Sequence, residues 1–322
     1  MAAYTGIQGQ NILIVSSDPA NPTEGQIWYN STSNLLKGYA NVVVNAFASG
    51  GNLIAARYYT AGGGTQTAAI IGGGATNTAL LSSSESYNGT SWTSVSGINN
   101  ARSTQGGAGT QTAAVIFGGL TPGITGTTEK WNGTSWTTNP TAMNTARRGS
   151  MGNAGIQTAA LAYGGNTGAL SSASESFNGS TWTNTPSLNT ARDELAGCGT
   201  QTAAIAFAGN VPGATAATES WNGSSWTTVN SMNTARVALG GFGTQTAAVG
   251  AGGFPVATTT ELWNGTSWTS NPTGLGTAVS SSCGEGSQSS GLIIGGYGGA
   301  AEVNNTQEWT GTNLATRTIT TS

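Results

Sequence analysis

The chain has 322 residues, enough for one large β domain or two ordinary ones. Only 7% of them are charged and 51 are Gly, yet ten Trp, eight Tyr and six Phe are spread along the chain, which argues against disorder. The net charge of −3, without a basic cluster, argues against nucleic-acid binding, and no apolar run reaches the length of a transmembrane helix.

The first fifty residues lie outside the repeats that follow. MAAYTGIQGQ lacks the positive and apolar regions of a signal peptide, so we expect an extracellular protein to arrive by another route, such as an assembled particle. The stretch NPTEGQIWYNSTSNLLKGY predicts a turn-rich start, a hairpin around residues 30–34 and a further strand.

Part of this stretch, EGQIWYNSTSNLLKGY at residues 24–39, resembles a short module near the start of many tailed-bacteriophage fibre and tail proteins. In that module a Gly-x-x-Trp-Tyr-Asn strand turns back into a Leu-x-x-Tyr strand, and Phe47 replaces its usual later Trp. The resemblance implies a virion protein that attaches to the particle through residues 1–50, an N-terminal attachment or oligomerisation β segment.

Six repeats follow this segment. One Gln returns every 43 to 46 residues, at Gln66, Gln111, Gln157, Gln201, Gln245 and Gln288. Each repeat divides into four strand-length pieces separated by Gly or Asn turns, for example ARRGSMGNAG, IQTAALAYGG, SSASESFNG and STWTNTPSLN. Four short strands at this period predict a propeller blade.

The order of landmarks in each repeat is an Arg, a Gly-Gly doublet, and an aromatic residue followed five residues later by Trp. From residue 55 to about 320 this order resembles the Kelch repeat. The predicted fold is all-β: a six-bladed Kelch-like β-propeller of four-stranded antiparallel blades at residues 51–322, with a small N-terminal β segment. A seven-bladed ring that uses residues 26–50 is the alternative. Departures at Ala208, Val279 and Leu314 affect the regularity of single repeats.

Three features inside the repeat predict local structure. In ESYNGTSWT at residues 85–93, Asn-Gly predicts a type I′ turn between the third and fourth strands, in preference to a glycan acceptor or a sugar-binding box. The second piece is apolar on consecutive residues, as in a strand covered on both faces. Five repeat Arg and five repeat Glu predict a ring of structural, partly exposed ion pairs.

Ring closure and the cysteines leave alternatives open. Residues 313–321 are favoured as the fourth strand of the last blade, with residues 42–48 as the other candidate. Cys198 and Cys283 stand apart in Gly- and Ser-rich surroundings, which favours two small buried residues over a disulfide.

Loops on one face of the disc vary in length, whereas the GTQT and NGTS turns on the other face are nearly constant. Because binding residues are often carried on variable loops of a rigid scaffold, we expect the candidate surface at residues 75–82, 120–127, 166–172, 210–216, 254–258 and 297–304. Its candidate ligand-binding residues are Thr121, Pro122, Asn166, Asn210, Phe254 and Tyr297. Passive loops are the alternative.

Catalysis has little support in the sequence. Without His the chain lacks the usual general base, the imidazole metal ligand and a Ser-His-Asp triad, so we expect no enzyme, cofactor or metal site. Asp193 and Glu194, beside Arg192, form the one local cluster of acids, which is interpreted as a solvated strand end.

The leading hypothesis is a bacteriophage virion structural protein, a fibre or appendage component at the particle surface whose propeller binds a host-surface glycan or receptor. The expected partners also include other virion proteins, through the N-terminal segment, and further copies of the chain; nucleic acid and membrane insertion are not expected. A head- or tail-decorating propeller that binds only other virion proteins is the alternative. A polysaccharide-degrading enzyme ranks third.

Overall fold

The computed structural model describes residues 12–149 and 152–319, and these residues form strands, turns and loops without a helix. That part of the chain accordingly contains no helix long and apolar enough to cross a membrane. Two compact units are present: a small unit from the described parts of residues 1–44 and 311–322, and a large unit of residues 45–310. The observed division differs from the predicted one, which lay after residue 50 and assigned the C-terminal residues to the propeller.

The large unit contains the six blades of a β-propeller: five are four-stranded antiparallel sheets, and the sixth is formed by four strands of a six-stranded sheet. Blades one to three comprise β4 (Ala61–Thr65), β5 (Ala68–Gly72), β6 (Ser84–Tyr87) and β7 (Trp92–Val95); β8 (Gly106–Thr110), β9 (Ala113–Phe117), β10 (Thr128–Trp131) and β11 (Trp136–Thr138); and β12 (Gly152–Ile156), β13 (Ala159–Tyr163), β14 (Ser174–Phe177) and β15 (Trp182–Thr185). Blades four and five comprise β16 (Ala196–Gly199), β17 (Ala204–Phe207), β18 (Thr218–Trp221) and β19 (Trp226–Val229); and β20 (Gly240–Thr244), β21 (Ala247–Ala251), β22 (Thr260–Trp263) and β23 (Trp268–Asn271).

Blade six is assembled from both ends of the large unit. Its strands are β24 (Cys283–Ser287), β25 (Ser290–Ile294), the first part of β26 (Thr306–Thr318) and the last part of β3 (Leu35–Ser49). The predicted closure by residues 313–321 is therefore wrong, and the alternative strand at 42–48 lies within β3; residues 320 and 321 are outside the described residues. Because Asn-Gly is absent after Trp309, β26 continues without a turn, and Phe47 packs on Trp309 at 5.0 Å between ring centroids.

The second strand of every blade is buried on consecutive residues, as predicted for a strand covered on both faces. Its side chains contribute to hydrophobic clusters that lie between successive blades, one at each of the six seams. The first strands are rich in Gly because neighbouring backbones approach closely; a Cβ at Gly63 would lie 2.7 Å from the backbone of Gly109 in the next blade. Burial of the apolar side chains in these six clusters removes their surface from water and stabilises the ring.

Each repeat Gln binds the preceding blade. Gln157 Nε2, for example, donates to the carbonyl oxygens of Ala114 at 2.8 Å and Trp131 at 2.6 Å. Gln66 of blade one donates in the same way to Trp309 of blade six, at 2.8 Å, so the six blades form a closed ring. The predicted six-bladed ring is thus the one that the described residues form.

The turn that follows each third strand differs from the predicted type I′ geometry. Tyr87 pairs with Trp92, so the loop has four residues, and Gly89 has a φ of +90° while Asn88 has no positive φ. Asn88 Oδ1 accepts hydrogen bonds from the N–H groups of Thr90 at 3.0 Å and Ser91 at 2.9 Å. The Asn side chain therefore shapes this turn by binding backbone donors.

The predicted ion pairs are present, but their predicted partial exposure is wrong. Each of five blades carries one fully buried pair: Arg57 with Glu85, Arg102 with Glu129, Arg147 with Glu175, Arg192 with Glu219, and Arg236 with Glu261. Burial lowers the pKa of the Arg57 guanidinium, and the charge of Glu85 opposes that shift. The Arg also donates to backbone carbonyls; Arg57 Nη1 lies 2.8 Å from Ser83 O. These contacts connect the segment that precedes the first strand of each blade with the third strand of that blade.

The small unit contains β1 (Leu13–Val15), β2 (Ile27–Asn30) and the described parts of β3 and β26 that belong to it. The predicted hairpin is confirmed, since β2 and β3 pair antiparallel on either side of residues 31–34. Asp18 binds Lys37 Nζ at 2.7 Å and Asn30 Nδ2 at 2.7 Å, and these contacts lower its pKa to about 2. Cys198 and Cys283, in the large unit, are free and buried, as predicted.

Candidate functional site

On the face that carries the variable loops, one residue of each blade lies at the mouth of the propeller axis. Two residues after the repeat Arg, or after Val279 in blade six, the backbone has positive φ in every blade: Tyr59, Thr104, Gly149, Glu194, Ala238 and Ser281. Their backbones are linked from blade to blade, for example from Ala238 N to Glu194 O at 2.8 Å. We name these six residues the inner girdle. Five non-Gly residues held at positive φ mark a position where the fold tolerates backbone strain.

The inner girdle and its neighbours carry charged and aromatic side chains in a chain that has few charges. Arg148, Asp193 and Glu194 lie here, as do Tyr58, Tyr59, Phe254 and Tyr297. Tyr58 packs edge-on against Tyr59, with ring centroids 5.3 Å apart, and against Tyr297 at 5.9 Å. Phe254 is 60% exposed.

One hydrogen bond crosses the mouth between opposite blades. Tyr59 of blade one donates its hydroxyl to Glu194 Oε1 of blade four at 2.7 Å, and we name this contact the Tyr–Glu bridge. Burial, followed by the charge of Glu194, raises the pKa of Tyr59 well above its usual value. The phenol therefore stays protonated and keeps its donor.

The bridge separates two open cavities. The first, of about 470 Å³, is lined by Thr76, Thr78, Ser103, Thr104, Arg148 and Asp193 among others. The second, of about 390 Å³, is lined by Val237, Phe254, Ser280 and Tyr297 among others. Tyr58, Tyr59 and Glu194 line both. Both volumes lie in the range of about 300–1,000 Å³ that is usual for small-molecule sites.

The sequence suggested that Asp193 lies at a solvated strand end, and for Asp193 this interpretation is wrong. Its side chain is buried, and its two carboxylate oxygens accept hydrogen bonds from Asn166 Nδ2 at 2.9 Å and Asn210 Nδ2 at 3.0 Å. Two adjacent variable loops are thereby held against the first cavity. Buried polar groups of this kind are expected to be hydrogen-bonded, and here both acceptor atoms are.

The six predicted binding residues fall into three groups. Asn166 and Asn210 hold Asp193, while Phe254 and Tyr297 line the second cavity. Thr121 and Pro122 line neither cavity; the Thr121 hydroxyl donates to Gly123 O within its own loop at 2.9 Å. Whether any of the six contacts a ligand stays a prediction.

Sequence reasoning missed the residues at the centre of this surface. Tyr58, Tyr59 and Arg148 follow the repeat Arg directly, where other blades have small residues such as Ser103 and Thr104. The signal was therefore available as a departure from the repeat, although it lies outside the variable loops.

A further acid lies along the axis. Glu285, in the first strand of blade six, lines two cavities of about 60 and 120 Å³ between the Gly-rich first strands. Burial raises its pKa to about 8, while the Cys283 thiol donates to Glu285 Oε1 at 3.6 Å. Among the described residues, no group of three or more Cys, Asp or Glu is placed to hold a metal ion.

Comparison with known proteins supports the fold. No family model matches the chain, and no curated protein matches it. Among solved structures, the chain is similar to one titled "Structure of YjhT", with a TM-score of 0.68 and 14% sequence identity, over 83% of this chain and 99% of that chain. At this identity the similarity concerns the fold, a β-propeller.

Proposed function

We propose that the protein is a bacteriophage virion component, a fibre or appendage protein at the particle surface, whose propeller binds a glycan of the host surface. The observation that carries the proposal is the cluster of aromatic and charged side chains around the inner girdle. Charged residues make up only 7% of the chain, and this cluster lies on the face with variable loops, where binding residues are expected.

The chemistry of the cluster suits a carbohydrate. Sugars present hydroxyl groups, which hydrogen-bond to carboxylates, amides and hydroxyls, and C–H faces, which pack on aromatic rings. Glu194 and Thr78 offer the first kind of contact, while Phe254 and Tyr297 offer the second. A pocket of mixed apolar walls and a few placed polar groups is the usual form of a small-molecule site.

We propose binding without catalysis. Both oxygens of Asp193 already accept side-chain hydrogen bonds, and the nearby Glu194 is held by Tyr59. A glycosidase needs one carboxyl as a proton donor and a second as a base or nucleophile. The arrangement therefore favours a rigid recognition surface.

The Kelch and phage resemblances belong to the same proposal. The order of Arg, Gly doublet and aromatic pair in the repeats supports the Kelch resemblance, and the antiparallel pairing of β2 with β3 is compatible with the resemblance of residues 24–39 to the phage module. Most of the exposed large apolar side chains lie in the small unit: Leu13, Ile14, Ile27, Leu35, Val44 and Ile319. Apolar side chains at protein interfaces are exposed in this way when the partner is absent. We propose other virion proteins or further copies of the chain as its partners.

A glycan array carrying bacterial surface oligosaccharides tests the proposal. We expect the protein to bind a restricted set, and Tyr297→Ala to weaken that binding at least tenfold. Thr90→Ala, on an exposed turn of a third-to-fourth strand connection, is the matched control and should bind as the parent does. If the parent binds no glycan on the array, the glycan proposal fails, and a decorating propeller that binds only virion proteins becomes the better account.

A further inference from the structure

We infer that the mouth binds an oligosaccharide of at least two sugar rings that lies across the Tyr–Glu bridge, with one ring in each cavity. The inference rests on the proposed function, because it specifies the ligand of the same surface. It follows from the way in which the bridge divides the mouth.

The two cavities are adjacent and share a wall. Tyr58, Tyr59 and Glu194 belong to the lining of both, so a ligand that fills one cavity touches the same residues as a ligand in the other. The bridge joins blades on opposite sides of the ring, so it crosses the mouth. A single ring can occupy one cavity, whereas contact with both sides of the bridge needs a second ring.

The two cavities also differ in chemistry. The first is lined by the hydroxyls of Thr76, Thr78, Ser103 and Thr104 and by the Arg148 side chain. Arg148 Nε is buried and has no hydrogen-bond partner in the described part of the chain. A buried N–H without a partner costs free energy, so a ligand acceptor that meets Arg148 would bind favourably. Because Asp193 and Glu194 also line this cavity, it suits a ring rich in hydroxyl groups.

Apolar and aromatic side chains dominate the second cavity. Phe254 exposes 60% of its surface there, and Tyr58 and Tyr297 add two rings in edge-on contact. Aromatic side chains that line a cavity are a usual feature of ligand-binding sites. This cavity suits the C–H face of a second ring.

The Tyr–Glu bridge contributes an acceptor at the crossing point. Glu194 Oε1 accepts from Tyr59, and Glu194 Oε2 has no hydrogen bond to a described residue. Because the phenol holds the Glu194 carboxylate in the lining of both cavities, the acceptor is fixed before the ligand arrives, and preorganisation of this kind reduces the entropic cost of binding. A hydroxyl next to the glycosidic linkage is the expected donor.

Titration calorimetry with a length series tests the inference. The probes are defined bacterial surface oligosaccharides of one to six sugars, taken from the sequence that binds best on the array. We expect the affinity to rise at least tenfold from one sugar to two or three and to change little thereafter. Phe254→Ala should remove most of that gain. Arg148→Gln should lower the affinity for every oligosaccharide that fills the first cavity. Thr90→Ala should bind each oligosaccharide as the parent does.

The two proposals fail in different ways. Equal affinity for one sugar and for longer chains would overturn the two-cavity inference and leave glycan binding intact. A gain with length that survives Phe254→Ala unchanged would also overturn it. Absence of binding to every sugar would overturn the proposed function together with the inference.

Discussion

Blades five and six are neighbours built from the same repeat, but they solve the same packing problem differently. Blade five draws its four strands from consecutive sequence and buries the pair of Arg236 and Glu261 at 3.1 Å. Blade six takes its outer strand from β3 and has Val279 and Gln307 at the corresponding positions. Gln307 instead exchanges two hydrogen bonds of 3.0 Å with the backbone of Thr277.

The comparison shows that the two members of a buried ion pair are replaced together. Removal of one partner leaves a buried charge without its counter-charge. Replacement of both partners by uncharged residues also removes the free-energy cost of taking the two charges out of water. Val279 is fully buried and contributes to the hydrophobic cluster between blades five and six. A blade can therefore fold without the ion pair, but loss of one member alone is destabilising.

The largest expected effect comes from breaking one pair. Glu129→Gln leaves Arg102 buried without its counter-charge, so we expect a loss of about 3–5 kcal/mol in the free energy of unfolding. Chemical denaturation measures it. The double variant Arg102→Val with Glu129→Gln copies blade six and should lose less than half of that amount. A double variant as unstable as the single one would contradict the comparison.

The second effect concerns pH at the seam between blades six and one. Burial raises the pKa of Glu285 from 4.5 to about 8, so the folded protein holds this proton more tightly than the unfolded chain does. Stability is then unaffected below about 4.5, falls as the pH rises from about 4.5 to about 8, and levels off above it. Urea denaturation across this range should show the decline in the parent and a smaller one in Glu285→Gln. Parallel curves for the two proteins would sink the assignment.

A smaller effect is expected from loss of the hydrogen bond that the fourth-strand Trp makes to the preceding blade, a bond that blade six lacks. Trp136 Nε1 donates to the buried hydroxyl of Ser84 in the preceding blade at 3.0 Å. Trp136→Phe should cost about 1 kcal/mol, because the hydroxyl loses its donor. In blade six Phe47 already has no such donor, so Phe47→Leu should leave the hydrogen bonds between blades unchanged and affect packing alone. A double variant with Ser84→Ala should cost less than the sum of the two single changes.

The smallest effect concerns the turn. Asn132 Oδ1 accepts from the N–H groups of Thr134 and Ser135, and Asn132→Ala removes both bonds at an exposed site, for an expected loss of about 0.5–1 kcal/mol. Thr310, at the same place in blade six, lies within β26, and Thr310→Ala removes no turn. Thermal unfolding should therefore rank Asn132→Ala as the more destabilising change; the reverse order would contradict the role of the side chain.

The repeat period and the strand-length pieces made the propeller predictable from sequence. The borrowed strand, at residues 42–48, was only the second candidate for ring closure, because its pairing depends on contacts between residues more than 250 positions apart, such as those of β3 with β26. The full burial of the Arg–Glu pairs was also not predictable, because it depends on how closely the blades pack and the repeat pattern does not reveal that distance. Tyr59 and Glu194 lie far apart in sequence, so the Tyr–Glu bridge appears only once blades one and four face each other across the mouth.

The borrowed strand also sets an order for folding. During synthesis β3 is made before any blade of the propeller, yet its partner β26 comes after all the other propeller strands. Every strand of blades one to five has its partners within its own repeat, whereas the propeller part of β3 has its partner only once β26 has been made. Closure of the ring therefore cannot precede synthesis of β26, and a chain cut short before residue 306 lacks the partner strand of β3.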